Sequence, residues 1–195
     1  MKNWLNRVEI SGKYVDLLPL AISHKEALVE AANDGELWKL WFTGVPSKET
    51  VNSYIETALR QQQSGESLPF VVVEKVSQKI VGCTRFCNAE SDNRRVEIGY
   101  TWYAKSWQRT PVNTEAKLLL LTHAFETLEA ASVIFQTHYH NFKSRGAIER
   151  LGAKLDGVLR NHRIIDGLFR DTAIYSILEN EWPTVKHGLE ARVEL

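Results

Sequence analysis

RRVEIGYTWYAKSWQRTPVNTEAKLLLLTHAFETL, residues 94–128, is the stretch on which the fold turns. Val96, Ile98 and Tyr100 alternate with Glu97, Gly99 and Thr101, the period of a strand. Pro111 suits the first turn of a helix, where its missing N–H costs nothing. Val112, Ala116, Leu119, Leu120, His123, Ala124 and Leu128 recur behind it at helical spacing. The turn Gln108-Arg109-Thr110-Pro111-Val112-Asn113 therefore sits at a helix N-terminus. Free backbone N–H groups and the positive dipole end suit a phosphate there.

The flanking chain supplies a sheet for this unit. Upstream, Tyr14–Leu20 reads as a strand. Ser23 and Glu26 form a capping box for a helix to about Asn33, and Ser47 caps a second helix with an apolar stripe from Val51 to Leu59. Pro69–Glu74, Lys79–Cys87 and Arg94–Tyr103 form an antiparallel meander. Downstream come a strand at Ser132–His138 and a short helix capped by Asn141. Two strands follow, Lys154–Leu159 and Leu168–Ile177, linked by RNHRIIDG. Trp182, Val185 and Leu189 mark a last helix. The pattern predicts an α/β (α+β) domain with a mixed sheet of about seven strands flanked by helices. At 195 residues, one domain spanning 1–195 is expected, its core at about 14–182.

Composition narrows the partners. There are 24 basic and 24 acidic side chains, so no net field draws nucleic acid or an anionic membrane. The apolar runs are too short to span a bilayer, and MKNWLNRVEIS lacks the apolar region of a secretory signal. Cys83 and Cys87, four apart on a strand, would sit about 13 Å apart, too far for a disulfide. A cytoplasmic protein with two reduced thiols is expected. His138 and His140 share a strand face, but no third ligand stands nearby, so no metal is expected.

If the strands ending at Tyr103 and His138 are parallel neighbours, the helix starts at Pro111 and Asn141 share one sheet edge, the edge where open sheets bind ligands. The element order and three segments (VEIGYTWYAKSWQRTPVNTEAKLLLLTHAFE, NFKSRGAIERLGAKLDGVLR and RDTAIYSILENEWP) resemble the GNAT superfamily of acetyl-CoA-dependent N-acetyltransferases, in its RimJ/RimL-like branch. The resemblance covers roughly Val15 to Trp182. It implies a mostly antiparallel sheet splayed between the fourth and fifth strands, an acetyl-CoA donor and a primary amine as acceptor. That amine would belong to a protein N-terminus or a small molecule. A homodimer is also implied.

The resemblance also implies roles. The phosphate loop Q/R-x-x-G-x-G/A maps onto Gln108–Asn113, with Pro111 and Asn113 at the small-residue positions. Gln108, Arg109, Thr110, Val112, Asn113 and Thr114 would hold the pyrophosphate. Pro111 removes one N–H donor from that cradle. Trp102 and Tyr103 would lie beside the pantetheine arm. Asn141 would bond the pantetheine amide or simply cap its helix. Ser144 would meet the thiolate or support that cap, and Tyr175 is an alternative thiolate partner or a core tyrosine. Glu97 is either the base for the amine or a strand glutamate paired with Arg94, Arg95 or Arg85. Trp38, Trp41, Phe42 and Arg85 surround the expected acceptor side, as pocket walls or as core. A non-catalytic CoA-binding or interaction module on the same fold is the alternative function, motivated by Pro111 and Asn113.

Overall fold

A computed structural model describes residues 4–194. One sheet runs through it. Its strands are β1 (Ile10–Ser11), β2 (Val15–Pro19), β3 (Leu68–Glu74), β4 (Ile80–Glu90), β5 (Arg95–Tyr103), β6 (Ser132–His138), β7 (Lys154–Ile165) and β8 (Leu168–Leu178). They lie in the order β1-β2-β3-β4-β5-β6-β8-β7. Only β5 and β6 pair in parallel; every other neighbouring pair is antiparallel. The helices are α1 (Lys25–Asn33), α2 (Val51–Gln63), α3 (Pro111–Thr122), α4 (Phe142–Arg150) and α5 (Trp182–Glu194).

Successive side chains of β3 enter different cores. Phe70 and Val72 pack with Val112, Ala116 and Leu120 of α3 and with Leu189 of α5. Val71 and Val73 pack with Leu28 of α1 and with Val51 and Ile55 of α2. The sheet is thus covered on both faces, which is why LPFVVVE reads as a continuous apolar run. Each buried Val, Leu or Phe contributes roughly 1.5–3 kcal/mol relative to exposure.

Glu115, on α3, is buried against the other end of the sheet. Its carboxylate accepts N–H bonds from Lys13 (2.6 Å), Tyr14 (2.7 Å) and Val15 (2.8 Å), clamping the start of β2 to the helix.

Four details differ from the sequence reading. The sheet has eight strands rather than about seven, because the two-residue β1 pairs with Asp16 and Leu17; two residues carry no periodicity. β7 continues through RNHRII to Ile165, and only Asp166 and Gly167, both at positive φ, make the turn. Most of β7 is exposed, so no buried face imprinted an alternation on its sequence. Ser23 and Glu26 form no capping box. A short 3₁₀ turn at Ile22–His24 precedes α1, and His24 Nδ1 accepts from Ala21 N–H. Nor is Ser47 the cap of α2: Thr50 is the N-cap, without a side-chain bond, and Ser47 lies three residues earlier, its Oγ accepting from Glu49 N–H and its carbonyl from Val51 N–H.

The feature that positions the site is a bulge in β5. Arg85 pairs with Gly99 and Cys83 with Trp102, so Thr84 faces both Tyr100 and Thr101. Tyr100 takes φ +51 to accommodate the extra residue. On its other edge, β5 pairs with β6 only from Arg95 to Glu97, against Ser132 to Ile134. Beyond that level β6 stays with β8 as far as His138–Thr172. The parallel ladder therefore opens between these two strands, where the resemblance placed the splay.

Candidate active site

Because β5 and β6 are parallel, the starts of α3 and α4 fall on the same edge of the opening. Thr110 is the N-cap of α3, with Pro111 at the first helical position. Its hydroxyl donates to Trp107 O (2.8 Å) and accepts from Val112 N–H (3.4 Å). Pro111 brings no donor and Val112 N–H is engaged, so the first turn offers fewer free N–H groups than an ordinary helix start. Arg109 is exposed at φ +65, a conformation that favours glycine. Gln108 is exposed and donates from Nε2 to Tyr103 O at 3.0 Å. Val112 is buried in the core, while Asn113 and Thr114 are half-buried.

At the second helix start, Asn141 Oδ1 accepts from Ser144 N–H at 3.1 Å, the N-cap bond of α4. Its side-chain NH₂ is not used in that bond. Ser144 is half-buried. Trp102 is buried on the α1–α2 face and donates to Tyr54 Oη at 3.3 Å. Tyr103 is buried on the α3 face, with its hydroxyl unpartnered.

Glu97 occupies the vertex, at the last paired level of β5 and β6. It is buried, at 7% exposure, and makes no ion pair with Arg94, Arg95 or Arg85. Its Oε2 instead accepts from Asn88 Nδ2 (2.7 Å) and Gln136 Nε2 (2.9 Å). Burial pushes its pKa up; the Asn88 bond, Arg163, the Gln136 bond and Arg95 pull the other way without reversing it.

The four acceptor-side candidates separate. Trp41 is exposed and meets Phe42 edge-on at 5.6 Å and His138 at 4.9 Å. It also lies near His140, and its carbonyl accepts from Arg170 at 2.6 Å. Trp41 thus reaches the C-terminal end of β6, with Phe42 beside it. Trp38 instead packs against the core under α1 and α2. Arg85 is buried, its guanidinium stacked on Tyr100 (3.9 Å) and Tyr54 (5.4 Å), and its Nη1 donates to Gln61 Oε1 at 3.1 Å. Among the described residues it has no carboxylate partner.

Tyr175 is fully buried on β8. Its hydroxyl accepts from Arg145 Nε and donates to Glu149 Oε1, both at 2.9 Å. Its single proton is therefore committed to Glu149. Among the described residues no three His, Cys, Asp or Glu side chains converge as metal ligands.

Several residues around the vertex escaped sequence reasoning. Asn88, Gln136, Gln61, Arg145 and Lys117 carry no motif, and each matters through a partner distant in the chain. The one available signal was Lys117, a charge at a position that the helical stripe buries.

A parallel pair opened beside two helix starts, inside this element order, decides the family. The acetyltransferase (GNAT) domain model matches residues 15–154. The chain belongs to the GNAT acetyltransferase family. It is 36% identical over 103 residues to YdaF of Bacillus subtilis (strain 168), whose name assigns it provisionally to the ribosomal N-acetyltransferases. That match covers 53% of this chain and only 56% of YdaF, so the chain spans about half the length of this relative. A GCN5-related N-acetyltransferase from Brucella melitensis superposes with TM-score 0.88 at 30% identity, covering 97% of this chain and 86% of that one. RimJ of Mycobacterium smegmatis, solved with CoA-disulfide, superposes with TM-score 0.80 over 95% of each chain; at 23% identity it shows the shared fold.

Proposed function

We propose that this GNAT domain transfers an acetyl group from acetyl-CoA to a primary amine by direct attack in a ternary complex. The observation that carries this reading is the opened β5/β6 ladder with the buried Glu97 carboxylate at its vertex. The unpaired edge of β5 from Ile98 to Tyr103 offers N–H and C=O groups to an extended pantetheine arm, as one more strand would. Trp102 and Tyr103 flank that arm. A free β5 N–H faces the oxyanion of the tetrahedral intermediate. Arg109, Asn113 and Thr114 hold the pyrophosphate at the start of α3, while Gln108, Thr110 and Val112 shape the turn through their bonds to Tyr103 O and to one another. Asn141 bonds the pantetheine amide through its free NH₂, and Ser144 meets the departing thiolate. Glu97, held above the usual carboxylate range, takes the proton from the amine. Trp41, with Phe42 beside it, lines the approach of the acceptor; Trp38 backs it from the core, and Arg85, held by Tyr100, Tyr54 and Gln61, stands behind it. Tyr175 serves the thiolate less well than Ser144, since its proton is engaged by Glu149. No step needs a metal.

The names and titles of relatives support the donor and the acceptor class. RimJ and a RimL named for ribosomal L7/L12 were solved with CoA, and YdaF is named for ribosomal substrates. A protein N-terminus is therefore the first acceptor to try, with small amines beside it. The continuous sheet supports one domain. The exposed outer strand β7, with Leu159 exposed on it and Ile164 opposite the exposed Phe169 of β8, supports a homodimer. Buried, unpaired Cys83 and Cys87 support a reducing cytoplasmic setting; among the described residues no helix is long and apolar enough to cross a membrane.

A second reading, a non-catalytic CoA-binding or interaction module, draws on Pro111, which removes a donor from the phosphate turn. Thiol release with a panel of amines and N-terminal peptides separates the two. Turnover on any acceptor supports the enzyme. Tight acetyl-CoA binding by thermal shift without turnover supports the module, and no shift at all overturns both.

A further inference from the structure

Gln136 stands on β6 two residues beyond Ile134, the last β6 residue paired with β5. Its backbone stays with β8, opposite Ile174. Its side chain crosses to Glu97, where Nε2 donates to Oε2 at 2.9 Å. Chemistry decides the orientation of the amide, because the flipped form would set its oxygen against a carboxylate oxygen. The amide oxygen, Oε1, is left buried and without a hydrogen-bond partner. Leaving such an acceptor unpaired is costly, and native interiors keep few of them.

Glu97 shows the same asymmetry. Asn88 and Gln136 both reach Oε2, and no described residue donates to Oε1. Oε1 lies over Gly99, where an added Cβ would come within 3.1 Å of it. The two side chains joined at the vertex thus carry two unpaired acceptors, Glu97 Oε1 and the buried Gln136 Oε1. An ammonium group, with its several N–H donors and positive charge, is their complement.

We propose that Gln136 Oε1 is the second acceptor for the substrate ammonium, one N–H resting on Gln136 and another on Glu97. The inference rests on the reading that this site acetylates an amine. One proton passes from the ammonium to Glu97 and frees the nitrogen lone pair. The N–H held by Gln136 keeps that lone pair turned toward the thioester carbonyl. The N–C bond then forms, the C–S bond breaks, and the nitrogen's surplus proton goes to the leaving thiolate. Glu97 returns its proton to solvent.

Gln136→Met keeps the length of the side chain and removes both its donor and its acceptor; Gln136→Glu keeps an acceptor oxygen and adds a charge. The charged and titratable groups facing Glu97 are Arg95 on its own strand, Cys87 on β4 and Arg163 on β7, all unchanged in either variant. With the best amine of the panel, Gln136→Met is expected to raise the KM for amine at least tenfold. The KM for acetyl-CoA should stay within twofold. Its acidic limb in kcat/KM against pH should move up, since the ionised carboxylate loses a donor. Gln136→Glu should move the limb up further, through like charge, while its amine KM above the limb stays within about threefold of wild type. An unchanged amine KM in Gln136→Met, or equal rises in both KM values, overturns the proposal. If Gln136→Met fails to fold by circular dichroism, Gln136→Glu decides alone: an unmoved limb overturns it. Wild-type protein that releases no thiol with any amine defeats the acetyltransferase reading, and this inference with it.

Discussion

Lys117 Nζ donates to Thr101 Oγ1 at 2.6 Å and to Thr84 Oγ1 at 3.0 Å, and the two hydroxyls lie 2.9 Å apart. This trio, with Lys117 and Thr84 buried and Thr101 half-buried, sits where β5 carries one more residue than β4, and it ties α3 to both strands of the bulge. Among the described residues no carboxylate joins it. Burial lowers the Lys117 pKa to about 7, with only Cys87 opposing. The folded state therefore releases this proton more readily than the unfolded chain, which holds it up to the usual lysine range. The Lys117 contribution to stability should rise with pH from about 7, opposed above about 8.5 by Cys83 and Cys87, whose pKa values burial raises. Lys117→Met should flatten that slope in urea midpoints measured across the window, and should equal or exceed wild type at pH 7. An unchanged slope would show that another group carries it.

Glu97→Gln tests the base. Loss of a positioned base is expected to lower kcat roughly 10²- to 10⁴-fold and to abolish the acidic limb of the pH–rate profile. Stability should move the other way. The folded pKa of Glu97 is raised, so the stability linked to its protonated form is full at low pH and lost as pH rises through that pKa. At neutral pH the neutral glutamine should therefore melt no lower than wild type. Thiol-release kinetics and thermal melts report the two effects separately.

Gly99→Ala places a Cβ 3.1 Å from Glu97 Oε1 and from Cys87 Sγ. One of them must give by a few tenths of an ångström. Displacing the carboxylate should lower kcat about tenfold while the circular dichroism spectrum is kept, because small misplacements at a reacting centre are costly. Steady-state kinetics with acetyl-CoA saturating will show it.

Pro111→Ala restores the missing N–H at the start of α3. One added hydrogen bond to phosphate, worth about 1 kcal/mol, should lower the KM for acetyl-CoA roughly fivefold with the amine KM unchanged. No change in acetyl-CoA affinity would place the pyrophosphate elsewhere.

Glu115→Ala leaves three backbone N–H groups at the start of β2 without their carboxylate. A loss of about 3–5 kcal/mol is expected in denaturant unfolding, since hydrogen bonds to a charged group are worth about 1.5–3 kcal/mol each and three are lost together. Activity per folded molecule should survive, since none of these groups meets the site.

The legible parts of this protein are those written in consecutive residues. Pro111 after Thr110, and Asn141 three residues before Ser144, marked both helix starts, because a cap is a bond across three or four positions. The alternation through Val96 and Ile98 marked β5, because one pleated face meets the core. With those elements in order, the family resemblance led to the opening between β5 and β6.

Tertiary structure alone decided what lies inside that opening. Gln136 reaches Glu97 across 39 residues of chain, Lys117 reaches Thr84 across 33, and Lys13 meets Glu115 across 102. Each contact depends on strand register, and in β5 the register is shifted by the extra residue at Tyr100. No periodicity records that shift, because a one-residue slip sends the side chains that follow to the opposite face. Local spacing sets which elements form; the partner of each polar side chain is known only once strands from distant parts of the chain lie side by side.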